Sequence, residues 1–414
     1  MFNEFLNNFV HNLFKPLLLF FYTGFAISLL RVPFEFPKVI YQGLTMYLLI
    51  AIGWHGGEEL ARLDSAGMVQ ALGFMVIGFF VNFAIGCLAY VGLRWFTRIR
   101  NVDAATVAGY YGSDSAGTFV TCLGVLAAAN LAYAAYMPVL LAVMEIPGCL
   151  VALLLVSRLR RLGMDKRGNM PGESGYLPPI HQSEELPPIV ASETAEDAVE
   201  PLDNGGGTVT KVAVRHHKKV ASVGQATTEH TQVEGTSPFA SGKLLREVLL
   251  NPGLFLLFAG VAIGYLSRLQ GESVVKDYDV LFVALFQGAL CLFLLEMGMT
   301  ACSRLSDLKN GGLRFILFAL IAPNVFAMIG ITVAHAYSMA LRQPFDVGTY
   351  ALFAVLCAAA SYIALPAVQR LAIPEASPTL PLAASLGLTF TYNVTVGIPV
   401  YIEVAKAVIR NIPV

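Results

Sequence analysis

Ten apolar stretches, each near the ~20 residues a helix needs to cross a bilayer, constrain this chain more than any other feature. They run roughly over Phe14–Leu30, Val39–Trp54, Val69–Phe96, Ala104–Leu126, Tyr136–Val156, Leu249–Leu269, Val280–Thr300, Leu313–Tyr337, Val347–Leu365 and Ala383–Val404. With 56% hydrophobic and 13% charged residues among 414, the expected fold is an all-α polytopic membrane protein, and a soluble globular fold is excluded. A formal net charge of -1 gives no reason to expect nucleic acid as a partner. The six cysteines show no CxxC pair or metal-ligand spacing and are expected to pack as small apolar groups. No basic n-region or small-residue cleavage site accompanies Phe14–Leu30, so that run is expected to stay as a first helix and not to be a signal peptide.

Orientation follows from where Lys and Arg gather. Arg31 and Lys38, then Arg94, Arg98 and Arg100, then Arg158, Arg160, Arg161, Lys166 and Arg167 follow odd-numbered segments of the first half; Arg304, Lys309, Arg314 and Arg370 follow the seventh and ninth. The expected topology in the cell (inner) membrane puts all of these in the cytoplasm, with both termini outside. Residues 165–243, rich in Pro, Gly, Ser, Thr and acids, lack the periodic apolar pattern that buries a core and read as a disordered cytoplasmic loop. Its charge is split between an acidic run from Glu173 to Asp203 and a basic cluster from Lys211 to Lys219, which suits a linker or a docking segment.

The loop separates two weakly similar halves, residues 1–164 and 244–414. Gly53-Trp54-His55-Gly56-Gly57 lies on Gly298-Met299-Thr300-Ala301-Cys302, and Ile146-Pro147 on Ile398-Pro399. Each half holds five segments, an odd number, so the second enters the membrane upside down. That is the inverted-repeat plan of secondary transporters, whose interrupted helices meet near the midplane. Segments 4 and 9 carry the expected interruptions. One is the polar, glycine-punctuated run Gly112–Thr118; the other is Ala358–Pro366, in which Pro366 removes a backbone donor and marks a break or helix end.

Three carboxylates, Asp114, Glu145 and Glu296, fall within apolar runs, where an ionisable group calls for an ion, a partner or a proton. Asp114 and Glu145 are the candidates for a sodium-like cation, with the hydroxyls of Ser113, Ser115 and Thr118 completing an oxygen shell. Asn393 is the polar counterpart in the last segment. Catalytic readings fail: Gly112–Gly117 is not Gly-x-Ser-x-Gly, and His55-Gly56-Gly57-Glu58 lacks a second histidine. The chain is not expected to be an enzyme, nor to need a cofactor beyond sodium as coupling ion.

These residues together resemble the SbtA-type sodium-dependent bicarbonate transporters. The resemblance rests on Gly53-Trp54-His55-Gly56-Gly57, on Val102-Asp103-Ala104 leading into Gly112–Thr118, on Met144-Glu145-Ile146-Pro147, on Met297-Gly298-Met299 with Ser303-Arg304-Leu305, and on Leu320-Ile321-Ala322-Pro323. It covers nearly all of the chain except the central loop. It implies ten helices in inverted five-helix repeats, a gate of helices one, two, six and seven, a homotrimer, and elevator-like import of bicarbonate with sodium. It also implies inhibition by a PII-like protein at the cytoplasmic face. Carried onto this chain, the anion lies among Ser113, Ser115, Gly117, Thr118, Ala360, Ser361 and Tyr362, with sodium near those residues and Glu145, to which the reading of the residues themselves adds Asp114 and Asn393 as sodium candidates. Two departures stand out: Asp114 occupies a place where cyanobacterial members have an apolar residue, and Ser361 is followed by Tyr362-Ile363-Ala364-Leu365-Pro366 instead of Gly-Pro-Pro. The alternatives are a sodium- or proton-coupled carrier of another small carboxylate anion, or a membrane receptor or scaffold acting through the loop.

Overall fold

A computed structural model describes residues 14, 16–178, 252–362 and 364–414, and all of them belong to one compact unit. Most of the central loop, including the basic cluster, lies outside the described residues, as does the start of the sixth segment. Among the described residues all regular structure is helical. In chain order the helices are α1 (Pro16–Leu29), α2 (Lys38–Leu60), α3 (Ser65–Phe96), α4 (Asn101–Tyr111), α5 (Ala116–Ala128), α6 (Met137–Arg161), α7 (Pro252–Gln270) and α8 (Glu272–Asp279). They continue as α9 (Val280–Arg304), α10 (Gly312–Leu341), α11 (Val347–Ala358), α12 (Ala364–Ala372) and α13 (Leu380–Asn411).

Five of these, α3, α6, α9, α10 and α13, are long and apolar enough to cross a membrane as single helices. The fourth and ninth expected segments are each divided in two. The second extends past the expected end at Trp54 to Leu60, because the buried Glu58 is ion-paired one turn on with Arg62. Pro366 does not end a helix. It sits in the first turn of α12, where a missing N–H costs no ladder bond, and the break lies upstream from Ala359. Residues 165–178, assigned to the loop from sequence, form defined turns. The Asp165 carboxylate accepts from the backbone N–H of Arg167, Asn169 and Leu177, and Glu173 accepts from Asn101.

Packing sorts the long helices into two groups. In the first, α2 crosses α7 and α1 crosses α9. Both crossings are made by glycine. On α2, Gly53 and Gly57 lie against the backbone of Gly260, Val261 and Tyr265 in α7; Gly24 of α1 and Gly298 of α9 each face the other helix's backbone. Without an aqueous hydrophobic effect between helices, such close approach is what holds them together. In the second group α3 packs on α4 and α6, α10 on α11, and α11 on α13. The groups meet where α9 runs along α13 and where Gly56 of α2 rests on Pro138 of α6.

One end of the second group is polar. Arg100 bonds Asp103 and the carbonyls of Arg167 and Glu375, Arg160 forks onto the Glu375 carboxylate at 3.0 and 2.8 Å, and the Ser377 N–H donates to Asp103. The connections after α3, α6 and α12 therefore share one side of the molecule, the first two carrying the basic residues and the third the Glu375 that answers them.

A Cβ on Gly53 would stand 2.9 Å from both Gly260 Cα and Val261 N, atoms that cannot swing aside. Gly53→Ile is expected to destabilise the protein by about 1–3 kcal/mol, read as a clear fall in the thermal midpoint in detergent. Gly43→Ala, where nothing lies within 4 Å, is expected to leave that midpoint unchanged.

Candidate functional site

The two helix breaks are bonded to each other. Between α4 and α5 the chain leaves helical geometry at residues 112–115; between α11 and α12 it does so from Ala359. The backbone N–H of Ser361 bridges the gap, donating to the carbonyls of Tyr110 at 2.8 Å and Ser113 at 3.1 Å. Backbone freed from a helix at this depth has no water to turn to, so each break supplies partners to the other. The approach requires small residues. A Cβ on Gly112 would lie 3.0 Å from Gly86 Cα and 3.2 Å from Gly148 Cα, which places α3, the first break and α6 in backbone contact.

Around this crossing the predicted residues take distinct places. The Ser113 hydroxyl donates to the Glu145 carbonyl at 2.8 Å, tying the break to α6 just before Pro147. Ser115 caps α5: its hydroxyl accepts from the Thr118 N–H at 3.3 Å and from the Thr118 hydroxyl at 3.0 Å. Gly117 follows in the first turn of α5, so close to Tyr362 that a methyl group there would collide with the tyrosine hydroxyl. Ala360, Ser361 and Tyr362 are all buried in the second break. Ser113, Ser115, Gly117, Thr118, Ser361 and Tyr362 are thus drawn from segments some 250 residues apart in sequence into one cluster.

Asp114 is fully buried, and neither of its carboxylate oxygens receives a hydrogen bond from a described residue. The Glu145 charge is its electrostatic neighbour. A second acid beside an unpaired carboxylate makes the doubly charged pair unfavourable unless a cation or a proton joins it. With serine hydroxyls and break carbonyls close by, the donors are hard oxygens, the set that suits sodium.

Asn393 has different company. Its amide donates to the Ala358 carbonyl at 3.0 Å, the last of α11, and its oxygen accepts from the Tyr401 hydroxyl at 2.9 Å. It therefore pins the end of α11 to α13. Two π-helical stretches, Ala383–Phe390 and Asn393–Gly397, shape this part of α13. The first carries Thr389, which shares a 2.6 Å hydrogen bond with Tyr111 and donates to the Ala319 carbonyl at 3.1 Å. Glu296 lies on α9, where it accepts from Thr300 at 2.7 Å and is an electrostatic neighbour of Tyr362.

One participant escaped the sequence reading. Asn82 of α3 is completely buried, donates to the Met144 carbonyl at 2.9 Å, and keeps its side-chain oxygen without a donor among the described residues. Its carbonyl also lies against Gly112. The available signal was a lone amide in the apolar run Val81-Asn82-Phe83.

No curated protein matches the chain. A family model described as the Na+-dependent bicarbonate transporter superfamily matches residues 16–406. That span runs from the first residue of α1 into the last turns of α13 and takes in both breaks, Asp114 and Glu145. The chain therefore belongs to the Na+-dependent bicarbonate transporter superfamily.

Proposed function

We propose that the protein imports bicarbonate together with sodium, the two held side by side where the breaks meet. The observation that carries this reading is the Asp114 carboxylate, buried, without a donor and flanked by Glu145. A carboxylate in that setting is stable when a cation accompanies it. The anion's place is the N-terminal turn of α5, capped by Ser115, where the Gly117 and Thr118 backbone carries the positive end of the helix dipole. Ala360, Ser361 and Tyr362 form the opposite wall. Sodium on Asp114 offsets the repulsion this acid exerts on bicarbonate, so each ion strengthens the other's binding by the same factor. More than one sodium per bicarbonate draws on the membrane potential, at about 2.3 kcal/mol per charge per 100 mV.

The architecture in this proposal is ten membrane segments in two inverted repeats, α4–α5 and α11–α12 each counting as one interrupted segment. What supports it is the pairing of helices. Laying Gly53 on Gly298 makes the α2–α7 crossing the counterpart of the α9–α1 crossing, and both are glycine seams. The same correspondence relates the α2–α6 contact to the α9–α13 contact, where the two groups meet. In an elevator-like cycle α1, α2, α7 and α9 are the fixed gate, and the group bearing the breaks is the moving part. Cytoplasmic placement of the basic end, a homotrimer and a PII-like regulator complete the proposal, on the strength of the resemblance.

In liposomes, uptake of labelled bicarbonate is expected to require an inward sodium gradient, and Asp114→Asn or Glu145→Gln to reduce it about tenfold or more, the loss of one ligand's worth of binding. Uptake indifferent to sodium would overturn the symport reading. Gly117→Ala is expected to cripple uptake by driving a methyl into Tyr362. Adding Tyr362→Phe removes the clashing hydroxyl and is expected to restore most of it, a non-additive pair; a double variant as poor as the single would remove Tyr362 from the anion's wall.

A further inference from the structure

The last turns of α6 carry three arginines with unequal surroundings. Arg160 is fully engaged, forked onto Glu375 and bonded to the Ala372 carbonyl at 2.7 Å. Arg158 and Arg161 flank it, are exposed, and their side chains have no ion pair or hydrogen bond among the described residues. Both line a cavity of about 550 Å³ between α3 and α6. Its walls are apolar: Phe83 and Cys87, one turn apart on α3, face Val151, Leu155 and Leu162 of α6. A comparable groove on the opposite side of α3, about 540 Å³, has the single arginine Arg314.

We propose that the groove between α3 and α6 binds an anionic phospholipid, with one acyl chain along its apolar walls and the phosphate on Arg158 and Arg161. The charge pattern selects this occupant. Two guanidiniums three residues apart lie on one helix face and offer paired donors to a phosphate oxygen pair. A zwitterionic lipid such as phosphatidylcholine brings the same phosphate but beside a fixed cation that the arginines repel, and a second copy of this chain at the same place would oppose cation to cation. Glu173, which shares Tyr90 as an electrostatic neighbour with Arg158, is already occupied by donors from Asn101 and Met170. The arginine stems reach the headgroup level from below it, the usual manner of such side chains at a membrane surface. Val151 connects the groove to the crossing of the breaks. A Cβ on Gly86 would stand 3.1 Å from the Val151 methyls and 3.2 Å from Gly112 Cα, so the acyl chain backs directly onto the first break.

The test is native mass spectrometry of the full chain in detergent with equimolar phosphatidylglycerol and phosphatidylcholine of identical acyl chains. The wild type is expected to retain the anionic lipid over the neutral one by roughly tenfold, the preference two interfacial arginines provide. Arg158→Gln with Arg161→Gln is expected to bring that ratio near one, whereas Arg314→Gln leaves it in place. Cys87→Trp fills the groove without changing charge and is expected to lower retention of the anionic lipid, which keeps the test intact should the double variant fail to fold. Equal retention by the wild type, or an unchanged ratio in the double variant, overturns the proposal. So does competition by chain-free glycerophosphoglycerol at the lipid's own concentration, or loss of protomer association in the double variant, which would give the groove to a second copy.

Discussion

A single backbone N–H, that of Ser361, carries a disproportionate part of this architecture. It reaches across from the second break to two carbonyls beside the first, Tyr110 and Ser113. In hydrocarbon an unpaired peptide group costs several kcal/mol, so a helix can be interrupted there only if another element answers its freed groups. Here the answer to each interruption is the other. The small residues Gly86, Gly112 and Gly148 follow from the need to bring backbones into contact.

Side chains then hold the crossing in place by repeating one device, an amide or hydroxyl donating to a carbonyl of a neighbouring helix. Asn82 and Ser113 act on α6 through the Met144 and Glu145 carbonyls, and Asn393 acts on the end of α11. Asp114 is the exception, because nothing donates to it among the described residues. That contrast separates the groups that fix geometry from the one left unsatisfied, and it is on the unsatisfied acid that the proposed sodium site rests.

Much of this was legible beforehand because charge and glycine are conspicuous in an apolar chain. Asp114, Glu145 and the Gly112–Thr118 run announced themselves by the cost of placing them in lipid. Other features left weaker traces. Asn82 carries no charge, so its cost in an apolar run is smaller and it stands out less. Pro366 pointed to a break or a helix end; the break is there but lies upstream of it, because in a helix's first turn proline removes nothing the helix uses. The apolar stretch ends near Trp54 while α2 runs on to Leu60, since composition does not reveal that Arg62 would neutralise Glu58. The π-helical turns of α13, which carry Thr389 and Asn393, have no compositional signature.

The glycine seams of α1 with α9 and α2 with α7 bear on how such a molecule can diverge. A contact built from side chains can drift through compensating exchanges, one residue growing as its neighbour shrinks. Where peptide faces peptide there is nothing to trim in exchange, so Gly24, Gly53, Gly57, Gly260, Gly264 and Gly298 admit no partner change that would restore the fit. The frame is thereby locked against gradual sequence wandering, while the lipid-facing surfaces of the same helices remain free to vary.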